Sequence, residues 1–170
     1  MPYVFDLEDI DDLQIEVDLQ GSSSINFTLG YDTDSNLLAL MSVMLVSGES
    51  YLEASFERIL DLQFALRTVN LESGAVSDPD YDSRNAGNYI PRQHRPDVLN
   101  NILKCIESLL YRENPDYLTM ETFLPQLEGK PLKKYAVIEE HIRMLGYELQ
   151  DKFRDNDTGV DYWFFRRKPI

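Results

Sequence analysis

The spacing of apolar residues constrains the fold most strongly, because it changes along the chain. In the first half, apolar residues recur at every second position, which is typical of half-buried strands. In the second half they recur at intervals of three and four residues over 99–110 and 132–145, which is typical of amphipathic helices. A chain with both patterns, and with strand-like segments between its helices, is predicted to be an α/β (α+β) protein with a mixed sheet.

The strand-like segments of the first half predict an antiparallel meander of four strands, over 13–19, 25–31, 37–47 and 59–69. Residues 1–12 are an acidic lead-in, and the spacing of Leu7, Ile10 and Leu13 predicts one short turn of helix there. The segment 51–70 also fits a helix face, though less well, so a helical start before the fourth strand is the alternative. Residues 71–97 form a long polar connection that is expected to be exposed and mobile over 73–89.

After this connection, helices and strands are predicted to alternate. A helix begins near Pro96 and ends near Arg112, a strand covers 117–123, and a second helix ends at Gly146. Two last strands, 147–153 and 160–166, are joined by a hairpin loop. The strand–helix–strand order implies one parallel pairing with a right-handed crossover. The prediction is therefore one domain, 1–170, with a mixed, mostly antiparallel sheet.

The negative charge is concentrated in the first third of the chain. The net charge is −14, with 30 acidic and 16 basic residues, and no lysine or arginine precedes Arg58. Such a field repels the phosphates of nucleic acids, so direct nucleic-acid binding is not expected. A protein partner with a basic surface is compatible with it, and so is a role of these acids in solubility alone.

Other features narrow the class of protein. No run of 18 apolar residues predicts a membrane helix, and the N-terminus lacks the pattern of a signal peptide, so a cytoplasmic protein of bacterial or viral type is expected. Cys105 is the only cysteine and is expected to be a buried thiol. The two histidines, His94 and His141, are too far apart to form a metal motif, so no metal site is predicted.

Two stretches of the second half carry a resemblance to a known family. Lys133, Lys134 and Tyr135, followed by Leu145-Gly146-Tyr147, resemble the closing helix of GNAT N-acetyltransferases. The stretch 162–167 resembles the last strand of that family, and the order of elements is similar over about 13–168, as in uncharacterised GNAT-like proteins of bacteria and phages. The resemblance implies a GNAT-like fold and, for Tyr135, the place of the tyrosine acid. Core packing is the other explanation for Tyr135, which lies on the apolar stripe of its helix.

The family holds the pyrophosphate of acyl-CoA with a glycine-rich loop before a helix. The corresponding stretch, 88–97, has no pair of close glycines, and Asp97 would repel a phosphate. Arg92, Gln93 and Arg95 are the candidates here for contacts with a cofactor. Because the glycine-rich loop is missing, no cofactor is expected. Acetyl-CoA would be the cofactor only if the protein were an acyltransferase.

Two functions follow from these observations. The first is a non-catalytic acidic protein that binds a basic protein partner, for example a phage- or defence-related inhibitor. The candidate partner-binding residues are Asp9, Asp11, Asp12, Glu16 and Asp18. The alternative is an acyl-CoA-dependent N-acyltransferase in which Tyr135 is the candidate catalytic residue.

Overall fold

A computed structural model of the chain describes residues 3–11, 14–47, 57–81, 83–122 and 133–170. The strands are β1 (Tyr3–Phe5), β2 (Glu16–Val17), β3 (Ser23–Asp32), β4 (Leu37–Ser47), β5 (Ile59–Asn70), β6 (Tyr117–Glu121), β7 (Tyr147–Arg154) and β8 (Asp161–Arg167). The helices are α1 (Ser83–Ala86), α2 (Arg95–Glu113) and α3 (Lys133–Met144). One sheet contains the strands in the order β1-β3-β4-β5-β6-β8-β7, and β2 also pairs with β3. The prediction of a mixed, mostly antiparallel sheet in an α/β protein is confirmed.

Strands β3, β4 and β5 form the centre of the sheet, and they confirm the strands predicted over 25–31, 37–47 and 59–69. Ile25, Phe27 and Leu29 of β3 are buried, and the residues between them are half-buried. Strand β4 is mostly buried on both faces and pairs with β5 along its whole length, from Leu37 opposite Asn70 to Ser47 opposite Leu60. Apolar residues on both faces of β4 are required because it lies between two other strands and beneath the helices. Residues 51–56, where a helical start was the alternative, lie outside the described residues.

The predicted strand 13–19 is wrong over most of its length. Only Glu16 and Val17 pair with β3, and the side chains of Val17 and Leu19 are 52% and 108% exposed. Position 13 lies outside the described residues. The free edge of β3 is occupied instead by β1, which pairs with residues 30–32. Both β1 and β2 pair with this edge of β3, and β1 with the lead-in that follows it covers the larger part.

The lead-in is extended rather than helical, which corrects the predicted helical turn. The backbone N–H groups of Asp6 and Glu8 donate hydrogen bonds to the carbonyl oxygens of Leu29 and Thr28, each at 2.9 Å. Ile10 follows and is buried in the core, 5% exposed. The acidic segment is therefore the outer edge of the sheet, anchored by its backbone and by one apolar side chain.

Helices α2 and α3 confirm the predictions from their apolar stripes. The buried residues are Val98, Asn101, Ile102, Cys105, Ile106, Leu109 and Leu110 on α2, and Tyr135, Ile138 and Ile142 on α3. Each helix ends at a residue with positive φ, Asn114 at 45° and Gly146 at 97°. Both helices make crossovers in the same direction along the sheet, so right-handed connections place them on the same face. His141 of α3 lies 3.9 Å from a carboxylate oxygen of Glu107 of α2, which agrees with this placement.

The connection 71–97 is exposed only in part, which corrects the prediction of an exposed 73–89. Residues 71–78 are exposed, but the chain then returns along β5, where Val76 bridges to Val69 and Asp80 to Leu66. Ile90 is buried, and the Tyr89 carbonyl accepts a hydrogen bond of 3.0 Å from the Tyr3 hydroxyl. Backbone pairing with a strand edge thus fixes a segment whose composition favours a loop.

Candidate functional site

The sheet divides at strand β5. Residues 59–62 of β5 pair in parallel with residues 117–120 of β6. Further along β5, the same edge pairs with the connection: Leu66 and Asp80 exchange backbone hydrogen bonds of 2.9 and 2.8 Å, and the Ser77 N–H donates to the Thr68 carbonyl at 2.8 Å. Between the two pairings lies a gap, at the carboxyl end of β6 and beside the middle of β5. We call this gap the fork.

A small cavity lies in the fork. Its volume is about 40 Å³, which leaves room for one or two water molecules. The residues that line it include Phe64, Tyr81, Glu121, Lys134 and Tyr135. Asp80 also lines it, so the lining consists of aromatic rings, two carboxyl groups and an ammonium group, and only a very small ligand fits the space as it stands.

Tyr135 is both a core residue and a wall of the fork. Its side chain is 5% exposed. Its ring stacks on Trp163, with centroids 5.3 Å apart and planes 16° apart, and contacts the ring of Phe64 at 5.8 Å. Burial raises the pKa of the Tyr135 hydroxyl, and the nearby charge of Asp161 raises it further. Tyr135 is therefore packed in the core, as one of the two explanations from the sequence requires, and it also lines the cavity.

Lys134 precedes Tyr135 on α3 and lies over two aromatic rings. Its Nζ is 5.3 Å from the centroid of Phe64 and 5.2 Å from that of Tyr135. Burial lowers the pKa of Lys134 to about 8, and the positive charge of Arg95 contributes to the shift. Within the described residues, Lys134 forms no ion pair. Sequence reasoning assigned it no role of its own, because a lysine beside an apolar stripe is an ordinary surface feature.

A polar network includes Asp61 and Gln63, which alternate along β5 with Phe64, the residue that contacts α3. The Tyr81 hydroxyl donates to Gln63 Oε1 at 2.9 Å, and Gln63 Nε2 donates to Asp61 Oδ2 at 3.0 Å. Asp61 Oδ1 accepts a hydrogen bond of 2.7 Å from the Thr119 hydroxyl. Burial raises the pKa of Asp61 against the opposite effect of these hydrogen bonds, and the pKa of Glu121 is raised by burial and by Asp61. The sequence showed these residues only as the polar positions of two strands.

The acidic candidates lie along the outer edge of the sheet. Asp9, Asp11, Glu16 and Asp18 are all exposed, whereas Asp12 lies outside the described residues. Glu16 accepts a hydrogen bond of 3.3 Å from Asn26 Nδ2, and Asp18 Oδ1 accepts two from the backbone of its own turn, each at 2.9 Å. None of the four exposed acids forms an ion pair with any described residue. We call Asp9, Asp11 and the exposed residues 16–19 the acidic edge.

Arg92, Gln93 and Arg95 lie together at the start of α2, and all three are exposed. Arg92 and Gln93 belong to a short 3₁₀ turn before the helix, and His94 stacks on Phe5 with ring centroids 4.7 Å apart. Of the three cofactor candidates, Arg95 is the one whose charge acts on Lys134 in the fork. Tyr135 therefore lines the fork, the charge of Arg95 acts on its neighbour Lys134, and the acidic edge belongs to the opposite edge of the sheet.

No protein-family model matches the chain, and no curated protein or solved structure matches it. Among the described residues, no helix has the length and apolar character needed to cross a membrane. In the same part of the chain, no group of three or more histidine, cysteine, aspartate or glutamate residues is arranged to hold a metal ion. The fold and the two surfaces described above are thus the basis for any assignment of function.

Proposed function

We propose that this protein is a non-catalytic binding protein whose acidic edge binds a basic surface of a protein partner. The observation behind the proposal is that Asp9, Asp11, Glu16 and Asp18 are exposed along one sheet edge and form no ion pair with any described residue. Carboxylates that no cation neutralises produce a field that extends about 8–10 Å into solvent at physiological salt. Such a field attracts a positively charged surface and accelerates its association.

Apolar side chains accompany the charges on the acidic edge. Val17 is 52% exposed and Leu19 is 108% exposed, next to Glu16 and Asp18. Rim charges mainly direct association, whereas buried apolar contacts supply most of the affinity in protein interfaces. The acidic edge has charges that can direct association and apolar side chains that can supply affinity. Acids that served solubility alone would not need exposed apolar residues among them.

The small volume of the fork supports a binding role over a catalytic one. A cavity of about 40 Å³ is far below the roughly 300–1,000 Å³ of typical small-molecule sites. The proposed setting is the cytoplasm of a bacterium, with an origin in the bacterium or in a phage. An inhibitor that occupies the basic surface of another protein would fit the charge, the size and the exposed edge.

Photo-cross-linking tests this proposal with a matched control. A photoreactive phenylalanine derivative at position 19 should cross-link a basic protein, while the same group at position 111, where Tyr111 is 91% exposed on α2, should not. The captured protein is then purified, and its dissociation constant should rise at least tenfold between about 50 and 300 mM salt. Equal capture from both positions, or an affinity that does not depend on salt, would contradict the proposal.

An acyl-CoA-dependent N-acyltransferase is the second candidate. The fork between β5 and β6 favours it, because Tyr135 lines the cavity and the charge of Arg95 reaches it. Against it, residues 76–80 pair with the β5 edge beside the fork, which leaves little room for an extended ligand.

Thermal melts with acetyl-CoA distinguish the two candidates. A ligand present at 100 times its Kd stabilises a protein by about 2.7 kcal/mol. Since we propose no such binding, millimolar acetyl-CoA should leave the melting temperature unchanged. A clear rise in melting temperature that is lost when Arg95 and Arg92 are both changed to glutamine would support the acyltransferase instead.

A further inference from the structure

Two aromatic residues of β8 lie on the face of the sheet that points away from α3. Trp163 and Phe165 are buried, and Trp163 Nε1 donates a hydrogen bond of 3.0 Å to Glu139 of α3. Successive residues of a strand point to opposite faces, so Tyr162 and Phe164 lie on the other face. Both side chains are only half-buried. Their rings are therefore accessible from a side of the sheet that these two core residues do not use.

Each of these rings stacks on a ring of a neighbouring strand. Tyr162 stacks on Phe153 of β7, with centroids 5.0 Å apart and planes 14° apart. Phe164 stacks on Tyr117 of β6, with centroids 5.3 Å apart and planes 6° apart. Phe153 is 52% exposed, and Tyr117 is half-buried. Four rings thus form one row across β6, β8 and β7, which we call the aromatic row. Contiguous exposed apolar surface of this kind is typical of binding sites.

The aromatic row already holds a guanidinium group of the chain itself. The guanidinium carbon of Arg166 lies 6.0 Å from the ring centroid of Tyr117, which is within the range of a cation–π contact. Arg166 is exposed and forms no ion pair with any described residue. An arginine that is open to solvent therefore lies against one end of the row, and the other end has no such cation among the described residues.

A carboxylate without a cationic partner lies at that other end. Glu121 of β6 is directly opposite Tyr162 in the pairing with β8. Burial raises the pKa of Tyr162, and the charges of Glu121 and Asp155 raise it further. Glu121 forms no ion pair with any described residue, including Lys134. Burial and the charge of Asp61 raise the pKa of Glu121. A positive charge beside Glu121 would therefore relieve a repulsion between two carboxylates and meet an aromatic ring.

We propose that Glu121, Tyr162 and Phe164 form a binding site for an arginine side chain of another polypeptide. A guanidinium group is planar, so it can lie against the rings while two of its N–H groups donate to the Glu121 carboxylate. A lysine ammonium group is attracted by the same charges but cannot form this paired contact. The site is at the β6–β8–β7 end of the sheet, whereas the acidic edge is at the β1 end. The proposal goes beyond the proposed function and does not depend on it.

Titration with a pair of peptides, followed by NMR of the ¹⁵N-labelled full chain, tests the proposal. The two blocked peptides are identical except for a central arginine or lysine, and the buffer contains about 150 mM salt to screen distant charges. The arginine peptide should bind with a Kd at least about fivefold lower than that of the lysine peptide. The shifted backbone amides should centre on β6 and β8. Equal Kd values, or shifts that centre on the acidic edge, would overturn the proposal.

Variants of single residues locate the site, each with a matched control. Glu121→Gln should raise the Kd of the arginine peptide at least about fivefold, whereas Glu140→Gln, at an exposed position of α3, should leave it within about twofold. Tyr162→Leu should also raise the Kd, and Tyr111→Leu, at a ring 91% exposed on α2, should not. A Glu121→Gln chain with the affinity of the wild type would overturn the proposal.

Two further measurements separate this site from loss of structure and from the acidic edge. Glu121→Gln should not lower the melting temperature, because it keeps the shape of the side chain and removes a repulsion with Asp61. This variant decides the question alone if Tyr162→Leu unfolds. Neutralisation of the acidic edge should leave the Kd of the arginine peptide within about twofold at the same salt. A larger loss in that variant would place peptide binding at the acidic edge and contradict the assignment to Glu121.

Discussion

Neutralisation of the acidic edge should weaken binding to the basic partner at least tenfold at low salt and leave the fold intact. The variant replaces Asp9, Asp11, Glu16 and Asp18 by Asn, Asn, Gln and Asn, which changes the net charge from −14 to −10. Pairs of opposite charge across an interface direct association, so most of the loss should appear in the association rate. The loss should shrink at high salt, where solvent already screens the wild-type charges.

The amide substitutions are chosen because they keep the hydrogen bonds of the edge. Asn at position 18 retains the oxygen that accepts from Gln20 and Ser22, and Gln at position 16 retains an acceptor for Asn26. The free energy of unfolding should therefore stay equal or rise slightly, because isolated surface charges contribute little and these repel one another. Urea unfolding checks this point.

A matched control removes the same charge elsewhere. Glu140, Glu148, Asp151 and Asp157 are exposed residues of α3, β7 and the last hairpin, and none forms an ion pair with a described residue. Their amide variant also has a net charge of −10 but an unchanged acidic edge. It should bind within about twofold of the wild type. Equal losses in the two variants would mean that total charge, and not the acidic edge, governs binding.

Truncation of Trp163 to alanine should lower the free energy of unfolding by about 4 kcal/mol. Trp163 is 2% exposed and stacks on Tyr135, and its Nε1 donates a hydrogen bond of 3.0 Å to Glu139 of α3. The Nζ of Lys152 lies 5.5 Å from its ring centroid. The side chain thus joins β8 and β7 to α3, and its loss leaves a large cavity beneath the helix that carries Lys134 and Tyr135.

Circular dichroism in urea measures this effect, since Trp163 is the only tryptophan and its fluorescence is lost with it. Trp163→Phe is an intermediate case, because it keeps a smaller aromatic ring and removes the N–H together with part of the indole; about 1–2 kcal/mol is expected. Tyr111→Ala, at a residue 91% exposed, should change the free energy of unfolding by less than about 0.5 kcal/mol. A Trp163→Ala variant as stable as the Tyr111→Ala variant would show that the contact between α3 and β8 does not hold the fold together.

The acidic edge illustrates which part of a site sequence alone can indicate. Charge is a property of composition, so the absence of basic residues before Arg58 indicated an acidic surface whatever the fold. The fork could not be found in this way. Asp61 and Thr119 are 58 positions apart, and their hydrogen bond exists because β5 and β6 pair in one particular register. Lys134 meets Phe64 for the same reason, through a crossover that no local pattern specifies.

The sequence by itself determined α2, α3 and the strands β3, β5, β7 and β8, because each has an apolar period that requires one face to be buried, and it determined β4 because that segment is apolar on both faces. Tertiary structure alone decided which segment covers the edge of β3 and which covers the far half of β5. The alternation in 13–19 predicts a strand, but it does not determine how much of the edge of β3 that strand covers. In the structure β1 pairs with residues 30–32 of this edge. Residues 76–80 have no apolar period, yet they pair with β5 because a strand edge offers backbone hydrogen bonds to any segment that reaches it. Apolar periodicity is local, whereas the pairing of strand edges depends on which segments the rest of the fold brings within reach.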